Sequence, residues 1–153
     1  MREFASGTKF RNGDTLLARI TPCLENGKTA YMQSLADNEV GWGSTEFIVM
    51  RTKSGVPSTF AYLLARHPQF REHAIKSMTG TSGRQRVQSD SLLRYNVAVP
   101  SSREIWQAFG HMTEPLFALI KANEEEILTL TMLKNTLLPK LMNGQVRLKS
   151  YDS

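Results

Sequence analysis

The residue types best suited to recognition chemistry are concentrated in one short stretch, Thr81-Ser82-Gly83-Arg84-Gln85-Arg86. Small residues let backbone N–H groups approach a phosphate, and hydroxyls donate to its oxygens. The two guanidinium forks suit either a phosphate or the acceptor edge of guanine, and Gln85 can pair bidentately with adenine. The stretch has the chemistry of DNA readout, while loops of this composition also serve as ordinary surface turns. Lys76, Arg71, Arg19 and Lys28 are lesser candidates for contact with the phosphate backbone.

Catalytic constellations are much harder to find. Gly80-Thr81-Ser82-Gly83-Arg84 resembles a nucleophile loop, but no matching acid and histidine follow in order. A metal-dependent nuclease needs carboxylates for the metal and an acid two positions before a lysine, and Glu25-Asn26-Gly27-Lys28 has the wrong spacing. There is no GxSxG elbow, P-loop, HExxH, GxGxxG or Asn/Asp-Pro-Pro-aromatic motif. Cys23, His67, His73 and His111 are too scattered for a zinc cluster. The expectation is a non-catalytic protein without cofactor or metal; the enzymatic alternative, a nuclease of unfamiliar type, would require metal-dependent cleavage.

The scaffold that must position the loop is small. A chain of 153 residues, 41% hydrophobic and 22% charged, suits one globular domain with an appendage. No run approaches the roughly 18 apolar residues of a membrane span, and Met1 to Ser6 has neither signal nor transit character. A cytoplasmic location without membrane association is expected. The net charge of +5 is unevenly placed, because residues 51–103 hold 9 Lys/Arg against 2 Asp/Glu while the flanking thirds are nearly balanced. The basic middle (Arg51, Lys53, Arg66, Arg71, Lys76, Arg84, Arg86, Arg94, Arg103) reads either as a polyanion-binding face or as a solvated surface.

The order of elements predicts an α+β fold, a small mixed domain followed by a long helix. Asp14 to Arg19 and Lys28 to Gln33 are β-prone runs separated by a turn containing Asn26-Gly27. Thr45 to Met50 reads as a buried strand, and Gly41 and Gly43 before it mark a bulge or a close backbone approach. A helix beginning after Pro57 is interrupted at His67-Pro68, and a second extends to about Met78, before the glycines. Ser89-Asp90-Ser91 caps one helical turn, and Tyr95 to Val99 reads as a last strand.

Beyond Pro100 the pattern is helical. One helix is expected through Ile105, Trp106 and Phe109, and Thr113-Glu114-Pro115 has the order of a new helix start, with Asn143-Gly144 as the stop. Ile120, Ile127 and Leu141 share one heptad position and Asn123, Leu130 and Leu137 another, with Leu116, Leu119, Leu133 and Leu138 widening the stripe, a seam that asks for a partner helix. Asn123 is the polar seam residue that fixes register; the other reading folds the helix back on its own domain.

Four blocks resemble the specificity subunit of type I restriction-modification enzymes: Gly13 to Lys28, Gly43 to Val49, Gly80 to Val87 and Leu137 to Gly144, in the family's order. The resemblance implies a DNA target-recognition domain followed by one of the family's long helices. It further implies a non-catalytic subunit whose partners are double-stranded DNA, the methyltransferase subunits and, through them, the restriction subunit. A full subunit has two such units, and this sequence resembles the C-terminal portion, with the opening part of its recognition domain absent. The organisation expected is a partial recognition domain at 1–100, a helical arm at 101–148 that makes a homodimer, and a tail at 149–153. The alternative function is an assembly module that pairs through its helix without useful DNA affinity.

Overall fold

The structure is a computed structural model that describes residues 7–146. In chain order its elements are β1 (Thr8–Phe10), β2 (Thr15–Ala18), β3 (Thr29–Tyr31), β4 (Gly41–Gly43), β5 (Phe47–Met50), α1 (Thr59–Arg66), α2 (Pro68–Lys76), α3 (Ser89–Leu92) and α4 (Arg103–Met142). The chain divides into two compact units, Met1–Glu114 and Pro115–Ser153. The mixed strands followed by a long helix are the α+β arrangement expected.

β2 is central to the first unit. Its four residues are buried without the alternation of a half-exposed strand, because elements cover both of its faces. It pairs antiparallel with β3 on one edge, in register Leu16 with Ala30, and antiparallel with β5 on the other, in register Leu17 with Ile48. On one face Leu17 joins Leu24, Ala65, Phe70, Ala74, Val87 and Leu92 in the core, with Ile48, Met50 and Leu64 packed against them. At the start of α4, Trp106 and Phe109 meet Phe60 of α1 edge to face, with ring centroids 5.0 and 6.0 Å away.

Three expectations need correction. The strand expected from Thr45 begins at Phe47, and its side chains are half-buried because it lies at the sheet's edge. Tyr95 to Val99 has no regular secondary structure and joins no ladder among the described residues. Thr113-Glu114-Pro115 does not open a new helix: α4 runs through Pro115 and again through Pro139. A proline there removes one backbone donor, which the neighbouring turns tolerate. The stop at Asn143-Gly144 is present, with Gly144 at φ +74 and the Val146 N–H folding back to the Lys140 carbonyl at 3.1 Å.

The sequence reading did not foresee the ribbon of β1 with β4, in register Lys9 with Trp42. It depends on the close approach anticipated at Gly41, where a Cβ would stand 2.3 Å from the Phe10 ring.

An ion pair between a buried carboxylate and a half-exposed guanidinium ties β2 to the end of β5. The Asp14 carboxylate, whose side chain is 1% exposed, accepts hydrogen bonds from Arg51 Nε at 2.6 Å, Arg51 Nη2 at 2.7 Å and the Arg11 N–H at 2.8 Å. Burial pushes this carboxyl up, but the hydrogen bonds from Arg51 and Arg11 and their charges outweigh it, so its pKa lies below the ordinary value. The stabilisation is present above the unfolded value of about 3.8 and is lost as the pH falls through the lower folded one. Replacing Asp14→Ala should cost about 1–3 kcal/mol in urea unfolding at neutral pH, toward the lower range because Arg51 can reach water. Asp14→Asn should flatten the acid limb of the stability profile. A change below about 0.5 kcal/mol, the range of ordinary surface substitutions, would contradict this role.

Candidate nucleic-acid interface

The loops at the end of the sheet where β2 leaves and β3 and β5 begin converge on the 79–86 segment. β2 continues into Arg19, Ile20 and Thr21, and this extension holds the segment by its backbone: the Thr21 N–H donates to Gln85 O at 3.0 Å and the Val87 N–H to Arg19 O at 2.9 Å. Within the segment, Thr79 and Arg86 exchange both backbone hydrogen bonds, at 3.0 and 2.8 Å, closing the loop at its base.

Two glycines set its shape. The Arg84 N–H donates to Thr81 O at 3.0 Å across a turn with Gly83 at φ +76, the third position of a type II turn, where a side chain is strained. Gly80 lies at φ +127, and a Cβ there would stand 3.1 Å from the Arg84 carbonyl oxygen. Thr81, Ser82 and Arg84 are thereby carried into solvent at the tip, with Gln85 half-buried beside them.

The two arginines of the loop have different surroundings. Arg86 is held by Glu46, four residues beyond Trp42: its Nε lies 3.0 and 2.9 Å from the two carboxylate oxygens and its Nη2 2.7 Å from Oε1. Its Nη1 donates to the Arg84 carbonyl at 3.2 Å, so this guanidinium is committed to the protein. The hydrogen bond from Arg86 holds Glu46 below the usual carboxylate range, and Glu46 raises Arg86 in return. Arg84 is exposed, and its guanidinium has no hydrogen bond or ion pair among the described residues.

The other predicted contacts lie around this end. Arg19 donates from Nε to Val87 O at 3.1 Å and from Nη2 to Gln88 Oε1 at 2.7 Å, both neutral partners, while its charge acts on the nearby Glu46 carboxylate and helps to hold that group low. Lys28 is exposed where β3 begins, its backbone joined to Ala18 of β2. Arg71 donates to Glu25 O at 2.9 Å and Arg66 to Gly27 O at 2.9 Å, so both fasten the Thr21–Gly27 turn to the helices. Lys76 is paired with Glu72 at 2.6 Å across one helical turn. Much of the basic middle third is thus engaged within the protein: Arg51, Arg66, Arg71, Lys76 and Arg86 each have a partner. Sequence reasoning missed Glu46, whose only local signal is an acid just before a strand and whose partner is 40 residues away.

In the second unit, the helix face carrying Leu116, Ile120, Asn123, Ile127, Leu130, Leu137 and Leu141 is exposed, with Ile127 at 62% and Leu130 at 55%. No helix among the described residues is long and apolar enough to cross a membrane.

Glu46→Ala should leave the fold intact but release the loop. Amide exchange at Thr79 and Arg86 should accelerate, and in the unsubstituted chain the same acceleration should appear as acidification protonates Glu46 below the usual glutamate range. Unchanged exchange in Glu46→Ala would mean that the backbone bonds alone hold the loop.

No protein-family model and no solved structure matches the chain. It is 30% identical over 142 residues to the type I restriction enzyme EcoEI specificity subunit of Escherichia coli, an alignment covering 90% of this chain and 24% of the relative. It is 41% identical over 81 residues to the type I restriction enzyme EcoAI specificity subunit of the same organism, covering 52% of this chain and 14% of that one. The chain therefore spans about a quarter of the length of the EcoEI relative and less of the EcoAI one, and it is similar to a part of these type I restriction enzyme specificity subunits.

Proposed function

We propose that the chain reads DNA sequence as a non-catalytic specificity subunit, or half subunit, of a type I restriction-modification system in the cytoplasm. The observation that carries this reading is the exposed Arg84 on a loop held rigid by Arg86, Glu46 and the extension of β2. A rigid loop with one uncommitted guanidinium and flanking hydroxyls approaches a phosphate or base edge without paying the ordering cost of a mobile one. Arg84, Gln85, Thr81 and Ser82 touch the duplex, Arg19 and Lys28 steer and position the backbone, and Arg71 and Lys76 contribute field more than contact. Arg86 acts chiefly by holding the loop. In this reading residues 1–100 are the recognition part, 101–148 the arm and 149–153 a tail. The arm docks methyltransferase subunits, through them the restriction subunit, and pairs with a second copy.

Fluorescence anisotropy on a random duplex, at roughly 50 and 200 mM salt, tests the reading. Binding should fall steeply with salt, and Arg84→Ala should weaken it and reduce the salt slope by about one unit. Arg86→Ala should weaken it further by loosening the loop, and the double variant should be weakest. Unchanged binding in the double variant would refute the assignment.

The exposed seam of α4 favours a second reading, an assembly module without useful DNA affinity. It predicts a helix-mediated dimer that dissociates when Leu130 and Leu137 are replaced by Glu, and no DNA binding at low salt. A monomer by light scattering at tens of micromolar would count against both the dimer and the module.

A further inference from the structure

We propose that the outer face of the β1–β4 ribbon, where Lys9 lies over Trp42, is a second contact to the DNA duplex and grips its sugar–phosphate backbone beside the 79–86 loop; the identity of the ligand rests on the functional reading above.

The ribbon has one filled face and one open face. Its register sets Phe10 opposite Gly41 and Lys9 opposite Trp42. Cβ atoms at Gly41 and Gly43 would stand 2.3 and 3.1 Å from the Phe10 ring, so that ring fills its own side of the ribbon. Successive side chains of a strand alternate, which puts Lys9 and Trp42 on the other side. Both are exposed, Trp42 at 39%, and Lys9 Nζ stands 4.4 Å from the centroid of the indole ring. Lys9 forms no ion pair among the described residues. A lysine ordinarily loses rotamer freedom when a phosphate fixes it. Here the ring holds the ammonium beforehand, and the N–H donors turned away from the ring stay open to an anion.

The chain leaving β4 ties this face to the loop. Thr8 Oγ1 donates to Ser44 O at 3.1 Å, and two residues further on Glu46 accepts the Arg19 N–H on its carbonyl at 3.0 Å and pairs with Arg86 at 2.7 Å. The four residues from Trp42 to Glu46 span at most about 14 Å even when fully extended, close to the roughly 12 Å width of one major groove. A duplex seated on the loop is broad enough to meet the ribbon as well. Asp37 and Glu39, the acids next to β4 on its other side, precede it and so lie at the end away from Glu46, where Glu39 accepts the Ala36 N–H at 2.8 Å. Lys9 therefore meets a phosphate, and the indole lies against the sugar beside it. Contacts of this kind position the duplex and carry no base preference.

The test uses the full chain and random-sequence duplexes at roughly 50 and 200 mM salt. Lys9→Ala should weaken binding to every duplex alike and lower the salt slope by about one unit, so that the rise in salt costs this variant about threefold less affinity than it costs the unsubstituted chain. Trp42→Ala should weaken binding in the same way, and Trp42→Phe, which keeps a ring under the ammonium, should restore most of it. In a Trp106→Phe chain Trp42 is the sole tryptophan, and saturating duplex should cut its quenching by acrylamide about twofold or more. Should Trp106→Phe fail to fold, the Lys9→Ala slope decides. The proposal is overturned if Lys9→Ala keeps the full slope, or if Trp42 is quenched equally with and without duplex. Arg84 separates the two claims. Binding that depends on Arg84 but not on Lys9 or Trp42 refutes the ribbon contact alone, and binding that depends on Lys9 and Trp42 but not on Arg84 or Arg86 refutes the loop alone. A chain that binds no duplex at low salt refutes the functional reading and the ribbon contact with it.

Discussion

Burial of β2 on both faces is the constraint from which the first unit is built. A strand of four residues with no exposed side chain cannot stand at an edge, so β3 and β5 flank it, helices and core side chains cover one face, and Phe10 and Phe47 gather toward the other. Its continuation, Arg19 to Thr21, carries that rigidity outward and lends it to the 79–86 loop through backbone hydrogen bonds. The position of the loop is therefore a consequence of the core.

Electrostatics refines what the backbone begins. Two arginine–carboxylate pairs each tie distant segments together, Arg51 with the buried Asp14 and Arg86 with Glu46. The first fixes β5 against β2; the second anchors the loop beside the start of β5. Both spend cations that a count of charge would assign to a DNA surface. The electropositive character that remains comes from fewer residues, with Arg84 foremost, from Arg71, whose partner is a carbonyl oxygen, and in part from Arg19, whose hydrogen-bond partners are neutral but whose charge Glu46 partly offsets.

Local chemistry explains which features were legible in the sequence. Asn26-Gly27 between two β-prone runs identified the β2–β3 pair, His67-Pro68 separated α1 from α2, and Asn143-Gly144 ended α4, because each signal acts within a few residues. The ribbon of β1 and β4 was not legible: Thr-Lys-Phe and Gly-Trp-Gly are weak strand sequences that pair because Phe10 packs over Gly41 and Gly43. Tyr95 to Val99 has β propensity, yet propensity says nothing about whether a neighbouring edge lies within reach. Pro115 looked like a helix start because a proline at the first turn and one tolerated inside a helix read alike. The loop itself was legible by composition, whereas the division of labour between Arg84 and Arg86 depended on a partner 40 residues away.

Proximity to DNA at the loop tip is the central claim, and site-directed photocrosslinking measures it most directly. Ser82→Cys, carrying a short benzophenone, would be irradiated with a labelled duplex at low salt, with Leu63→Cys on the exposed side of α1 as the control position. The account predicts a salt-sensitive crosslink from position 82 and little from position 63. Equal yields from both, or a crosslink from 63 alone, would contradict the placement of the duplex at the 79–86 loop.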